Sequence, residues 1–212
     1  AIINVADIQN SRWNLVFNSY LNKKFSPRHT NRTGITITEL KYDLDYKVSP
    51  YFGLNQPMEQ LSKGSGESTV FSAYSSSVIN LSNNLTTSLG VTGQYFTLNK
   101  NWSIEPRVAL KWKINPAHSL AAAYGHRERL DYYFVEQVIN GKKESNRYLD
   151  FSKAHHFGFT YDWNINQSLH LKIEPYYQYL FHIPVEENSS FSIINYEEFY
   201  LDRILTNTGI AK

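Results

Sequence analysis

The sequence has no cysteine. Disulfides, zinc–thiolate centres and thiol catalysis are therefore excluded, and an oxidising compartment is neither required nor ruled out. There is no run of about 18 apolar residues, so no transmembrane helix is encoded. Charge of one sign is also lacking: 21 Lys and Arg stand against 19 Asp and Glu, a net charge of +2. With no Lys/Arg run either, a nucleic-acid surface or other polyanion partner is not indicated. No Gly-rich phosphate loop, no Gly-x-Ser-x-Gly elbow and no spaced Ser/His/Asp set occurs, so the expectation is no enzyme, no catalytic residues and no cofactor.

Aromatic residues are abundant, at 15% with 16 Tyr among the 212 residues. Tyr combines an apolar ring with a polar tip and suits an interface. The clearest pattern lies between Ser103 and Ile114. Ile104, Pro106, Val108, Leu110, Trp112 and Ile114 alternate with Ser103, Glu105, Arg107, Ala109, Lys111 and Lys113. A period of two assigns each set to one face of a β-strand, one dry and one carrying four charges. A soluble sandwich also has wet and dry faces. Here the dry face ends in a Trp beside the turn Asn115-Pro116 and carries an outward Pro, and the design recurs. That combination suits a transmembrane β-barrel.

The same reading predicts strands over 12–24, 31–46, 68–81, 85–97, 102–114, 118–128, 151–163 and 168–181, with a ninth beginning at Leu205. Residues 1–11 show no period. In the second strand Leu40, Tyr42, Leu44 and Tyr46 oppose Glu39, Lys41, Asp43 and Asp45, but Ile35 and Ile37 fall on the charged side. A bulge or an inward packing site would explain that. Short turns are expected at 25–29, 82–84, 115–118 and 164–167. The connections between them are 47–68, 98–102, 127–150 and 181–203, three of them long. Alternating short and long ends define an antiparallel up-and-down meander, and in outer-membrane barrels short turns face the periplasm. Trp112 and Trp163 then mark one membrane interface, and Tyr124, Tyr177 and Tyr179 the other.

The segment Ser103–His126, with Phe191-Ser-Ile-Ile-Asn195 and Leu205-Thr-Asn-Thr-Gly209, resembles the barrel of TonB-dependent outer-membrane receptors. The group with a carboxypeptidase-regulatory-like N-terminal module is the most similar. The Glu105-Pro106-Arg107 strand is the most specific piece; elsewhere from Trp13 onward pattern is shared more than identity. The resemblance implies a barrel of 22 strands around an N-terminal plug, outer-membrane localisation, and active uptake of a nutrient such as a metal chelate, glycan or peptide. It implies as partners the membrane lipid, the plug and the TonB energy-transducing complex, and it allows a surface lipoprotein. The sequence offers eight or nine strands, with no plug, no TonB box and no terminal strand ending in an aromatic. Residues 1–212 are therefore expected to be one partial barrel domain, forming an open arc. A complete small porin and a barrel-type outer-membrane enzyme are the alternatives.

Candidate residues follow from position. Glu105, Arg107, Lys111, Lys113, Lys172 and Glu174 are expected to face the lumen, as a solvated wall or as plug and substrate contacts. Arg127, Arg129, Tyr132 and Tyr133, with Glu128 and Phe134, begin a long outer loop and are candidate ligand contacts. His155 and His156 point to opposite faces of a strand and cannot share an ion. His156 and His170 are the pair placed to meet across the turn at 164–167 as metal ligands, and wet-face or interfacial histidines are the more economical expectation.

Overall fold

Twelve strands and no helix make up the described part of the computed structural model, which covers residues 6–49, 57–129, 137–139, 142–144, 146, 149–186 and 205–212. They are β1 (Ala6–Ser26), β2 (His29–Val48), β3 (Glu59–Asn80), β4 (Leu85–Phe96), β5 (Asn101–Lys113), β6 (His118–Arg129), β7 (Gln137–Ile139), β8 (Lys142–Glu144), β9 (Ser152–Asn164), β10 (His170–Ile173), β11 (Tyr176–Glu186) and β12 (Leu205–Ala211). Ten form one antiparallel sheet in the order β1-β2-β3-β4-β5-β6-β9-β11-β12, with β10 alongside β9. Each main strand lies beside its neighbour in sequence, as a meander requires. β1 and β12 are at the two edges, and no pairing joins them among the described residues. The hairpin β7–β8 stands apart as its own two-stranded sheet.

Four expectations are corrected. The strand predicted to begin at residue 12 begins at Ala6, because residues 6–11 pair with 43–48 of β2. The segment 47–68, expected to be loop, is largely strand: β2 continues to Val48 and β3 starts at Glu59. β1, β2 and β3 thus have 21, 20 and 22 residues, or about 70 Å of extended chain, against about 40 Å for the 12–13 residues of β4 and β5. The eighth predicted strand is interrupted at Glu174-Pro175 and runs on to Glu186. Proline has no N–H to give the ladder, but its carbonyl still accepts the Phe159 amide at 3.1 Å. The register does not slip: Ile173 opposes Tyr161 and Tyr176 opposes Gly158, three residues on along both strands. Finally, the connection 127–150 contains the hairpin β7–β8, whose three-residue strands are too short to show an alternation.

Register assigns the faces, since directly opposed residues share one. One face carries Phe17, Ile37, Phe71, Tyr95, Ile104, Val108, Leu110, Trp112, Leu120, Phe157, Phe159, Leu171 and Ile173. The opposite face carries Asn14, Asn18, Thr36, Ser72, Thr92, Gln94, Glu105, Arg107, Lys111, Asp162 and Lys172. Most of the large apolar side chains on the first face are exposed. Buried hydrophobics number few among the described residues, and they cluster as Leu40, Phe96 and Phe151, with Val70 and Leu98 against them.

This settles β2. Its pairing with β1 and β3 runs without a shift from Asn31 to Tyr46, so there is no bulge there. Ile35 and Ile37 belong to the apolar face; Leu40 turns to the polar face and into the small core. Beyond residue 38 the apolar alternation has changed sides. That end of the β2–β3 hairpin is held by charge instead, through Lys41–Glu67 at 2.9 Å and Asp45–Lys63 at 3.5 Å. Two tyrosines also lie over glycines directly across the ladder, Tyr74 over Gly34 and Tyr42 over Gly66, leaving no room for a methyl group at either glycine.

Candidate functional site: the polar face and its outer end

The polar face is hollowed. A depression of about 770 Å3 extends from Arg32 on β2 across β3, β4, β5, β6 and β9 to Tyr176 on β11. A second, of about 470 Å3, adjoins it at the end of the sheet where the long connections lie. Both are lined by Tyr74, Thr92 and Arg107, so they form one trough.

Glu105 stands at the outer end of this trough. It is 2% exposed, which the reading of a solvated wall did not anticipate. The cause is a parting of strands. β5 and β6 pair from Lys113↔Ser119 up to Arg107↔Gly125 and then separate, next to Pro106, which has no N–H. The Glu105 carboxylate fills the gap: Oε1 accepts the backbone N–H of Glu128 at 3.2 Å and the side-chain amide of Gln94, and Oε2 accepts Arg107 Nη2 at 2.8 Å. A buried carboxylate satisfied in this way is tolerable where an unpaired one is not. Arg107 itself remains 56% exposed in its side chain.

Glu128, also buried, pairs with His126 at 3.1 Å and Lys153 at 3.8 Å; Lys153 reaches Asp150 at 3.5 Å. Residues returning from the outer connection are pinned beside this network. The Leu149 carbonyl accepts Asn99 Nδ2 at 2.9 Å and Asn101 Nδ2 at 3.0 Å. Asp150 exchanges hydrogen bonds with Asn207 of β12, at 2.7 and 3.1 Å. Asn146 Oδ1 accepts the Leu205 amide at 2.9 Å. These ties seat Phe151 under Leu40 and Phe96 and close the outer end of the trough on one side.

The remaining candidates are placed as follows. Lys111 and Lys113 share the polar face at the short-turn end and form no ion pair with a described residue. Lys172 pairs with Glu174 at 2.8 Å. Arg127 is exposed and borders the outer hollow. Arg129 ends β6, and its side chain lies outside the described residues, as do Tyr132 and Tyr133 entirely. On the apolar face Trp112 opposes Leu120, and Trp163 opposes His118, at one end of the sheet. Tyr124 opposes Phe157, which opposes Tyr177, and Tyr179 opposes His155 one row further out. From Trp163 to His155 along β9 is about 26 Å.

The histidines meet differently from expectation. His156 opposes Gln178 and His170 opposes Asn164, so those two do not face each other. His126 and His155 do, with ring centroids 4.9 Å apart, in a stack that includes Phe181 and Tyr179. No group of three metal-ligating side chains occurs among the described residues.

An antiparallel meander with one face of exposed aromatics and aliphatics and one hollowed polar face has the fold of part of a barrel wall of outer-membrane type. The solved structure of the outer membrane transporter YddB from Escherichia coli is similar, with a TM-score of 0.63 over 86% of this chain at 16% identity. The chain spans about 28% of the length of that transporter. No family model and no curated protein sequence matches it.

Proposed function

We propose that the chain supplies part of the barrel wall of a TonB-dependent transporter of the outer membrane, which takes up a nutrient by energy-coupled import. The observation that carries this is the segregation of an apolar and a polar face across the ten-stranded sheet, outside the charged end of β2–β3, with β1 and β12 at its edges among the described residues. Apolar residues of that kind suit lipid, and the trough suits a water-filled interior. Lipid cannot hydrogen-bond an open strand edge, so in a membrane both edges must be paired by further strands. In this reading Glu105, Arg107, Lys111, Lys113, Lys172 and Glu174 face the lumen, as contacts for the plug or for substrate. Trp112 and Trp163 sit at the periplasmic interface, and Tyr124, Tyr177 and Tyr179 at the outer one. Arg127, Arg129, Tyr132 and Tyr133 meet the incoming ligand, with or without a surface lipoprotein above them.

Uptake by cells that express the intact protein tests the proposal. Cells with and without a working TonB complex should differ, import stopping when energy coupling is lost. Import that continues unchanged without TonB would mark a passive barrel instead.

A further inference from the structure

We infer that the outer hollow between Arg107 and Arg127 is a binding site for a small organic anion, one carboxylate or phosphate on a ring or other apolar body. Three observations converge. First, the hollow, about 470 Å3, is large enough for such a molecule and lies over the apolar cluster of Leu40, Phe96 and Phe151. Second, its cations are available. Arg127 makes no ion pair or hydrogen bond with another described residue. Arg107 gives one N–H to Glu105 and keeps the rest of its fork for a ligand. Third, Glu105 is buried and saturated by Gln94, Arg107 and the Glu128 amide. Its charge is spent on holding Arg107 in place, so it orients that guanidinium without competing for it. Glu105 is thus a positioning residue.

The chemistry selects the ligand. Guanidinium recognises carboxylate or phosphate through paired hydrogen bonds. The Tyr74 ring and the partly exposed Val70 in the hollow's lining favour a flat or aliphatic body over a bare inorganic anion. Glu128 is buried and directs its carboxylate to His126 at 3.1 Å and Lys153 at 3.8 Å, not to Arg127. Lys111 and Lys113 lie about 13 and 20 Å from Arg107 down the strand. A small molecule in the outer hollow cannot reach them, and the site is confined to its own end of the trough.

The inference rests on the transporter reading only in that it takes the trough to be open to water. The test uses the intact protein in detergent and isothermal titration with phenylacetate, its uncharged amide phenylacetamide, and inorganic phosphate. Phenylacetate should bind, more weakly as salt is raised. The amide should not bind, and phosphate should bind more weakly than phenylacetate. Arg127→Gln should weaken phenylacetate binding about ten-fold, the loss of one charge-assisted contact, and Arg127→Lys should recover part of it. Glu105→Gln should weaken binding without abolishing it, with the thermal transition of each variant confirming its fold. Equal binding by Arg127→Gln would overturn the inference, as would equal binding of the amide. Absence of phenylacetate binding to the folded protein would also overturn it, as expected if a segment of the protein's own chain fills the hollow. Phenylacetate binding combined with TonB-independent import would remove the transporter reading and leave this site standing.

Discussion

A single position on β5 shows how much a strand's environment is decided by parity. Leu110 and Lys111 are neighbours in sequence, yet Leu110 shares its face with Ala122 and Phe159 while Lys111 lies with Ala121 and Thr160 on the other. With lipid against the first face, Leu110→Arg should cost about 2–4 kcal/mol. Lys111→Ala should stay within about 0.5 kcal/mol. Refolding of both variants into lipid vesicles against urea checks the pair, and equal costs would contradict the assignment of faces. Gly34 gives a second residue-scale case. A methyl group there would meet Tyr74 Oη at 2.7 Å, the Ser19 carbonyl at 2.8 Å and Tyr20 Cβ at 2.8 Å. Two of these are backbone or first side-chain atoms, which cannot swing away. Gly34→Ala should therefore destabilise by about 1–3 kcal/mol, measured as a lowered midpoint in the same titration. The sequence shows this glycine but not its role, because the tyrosine above it is forty residues away.

At the scale of the element, legibility depended on contrast. From Leu85 to Trp163 apolar and polar residues alternate sharply, and turns, register and facing could be read directly. From residue 47 to 68 charged, hydroxyl, glycine and proline residues show no clear alternation. There the paired strand of the β2–β3 hairpin looked like loop, and β2's change of side looked like a bulge or an inward packing site. Ion pairs hold that hairpin, and they titrate. The Gln60 amide, with Lys47 and Lys63, holds the Asp45 carboxyl below its ordinary 3.8. Its contribution is complete above 3.8 and is lost as pH falls through the lower folded value. Lys41, hydrogen-bonded to Glu67, is held above its ordinary 10.5, so its contribution is complete below 10.5 and is lost as pH rises through the higher folded value. Amide protection over residues 43–47, corrected for intrinsic exchange, should thus fall in acid below 3.8 relative to β4–β5. Asp45→Asn should remove that acid dependence. Glu105 marks a different limit of sequence reading. Its alternation assigned it to the polar face, but its burial arises where two strands part, and no local pattern encodes that. Glu105→Leu leaves the Glu128 amide, the Gln94 amide and Arg107 without their acceptor, and should cost about 2–3 kcal/mol. Glu105→Gln, which keeps an acceptor, should cost less.

For the whole molecule, the order of strands and the alternation of short and long connections were in the sequence, because each short turn is a few residues of Asn, Ser and Pro between strongly alternating runs. What lay beyond it was the shape of the outer end: the pinned return at Asn146 and at Leu149 to Phe151, the His126–His155 stack and the hollow over Phe96. Each joins residues far apart in the chain. The central claim is that the two faces of the sheet meet two solvents, lipid and water. The absence of cysteine from these 212 residues makes that claim directly measurable, since a cysteine introduced on β5 is the only thiol in this part of the wall. Single cysteines at each position from 104 to 113 in the intact protein, reconstituted in vesicles, should alternate. Positions 107, 109, 111 and 113 should react with a membrane-impermeant maleimide. Positions 104, 108, 110 and 112 should resist it and, when carrying a fluorophore, be quenched by brominated lipid. Uniform reactivity along β5, or alternation with the opposite parity, would contradict the account.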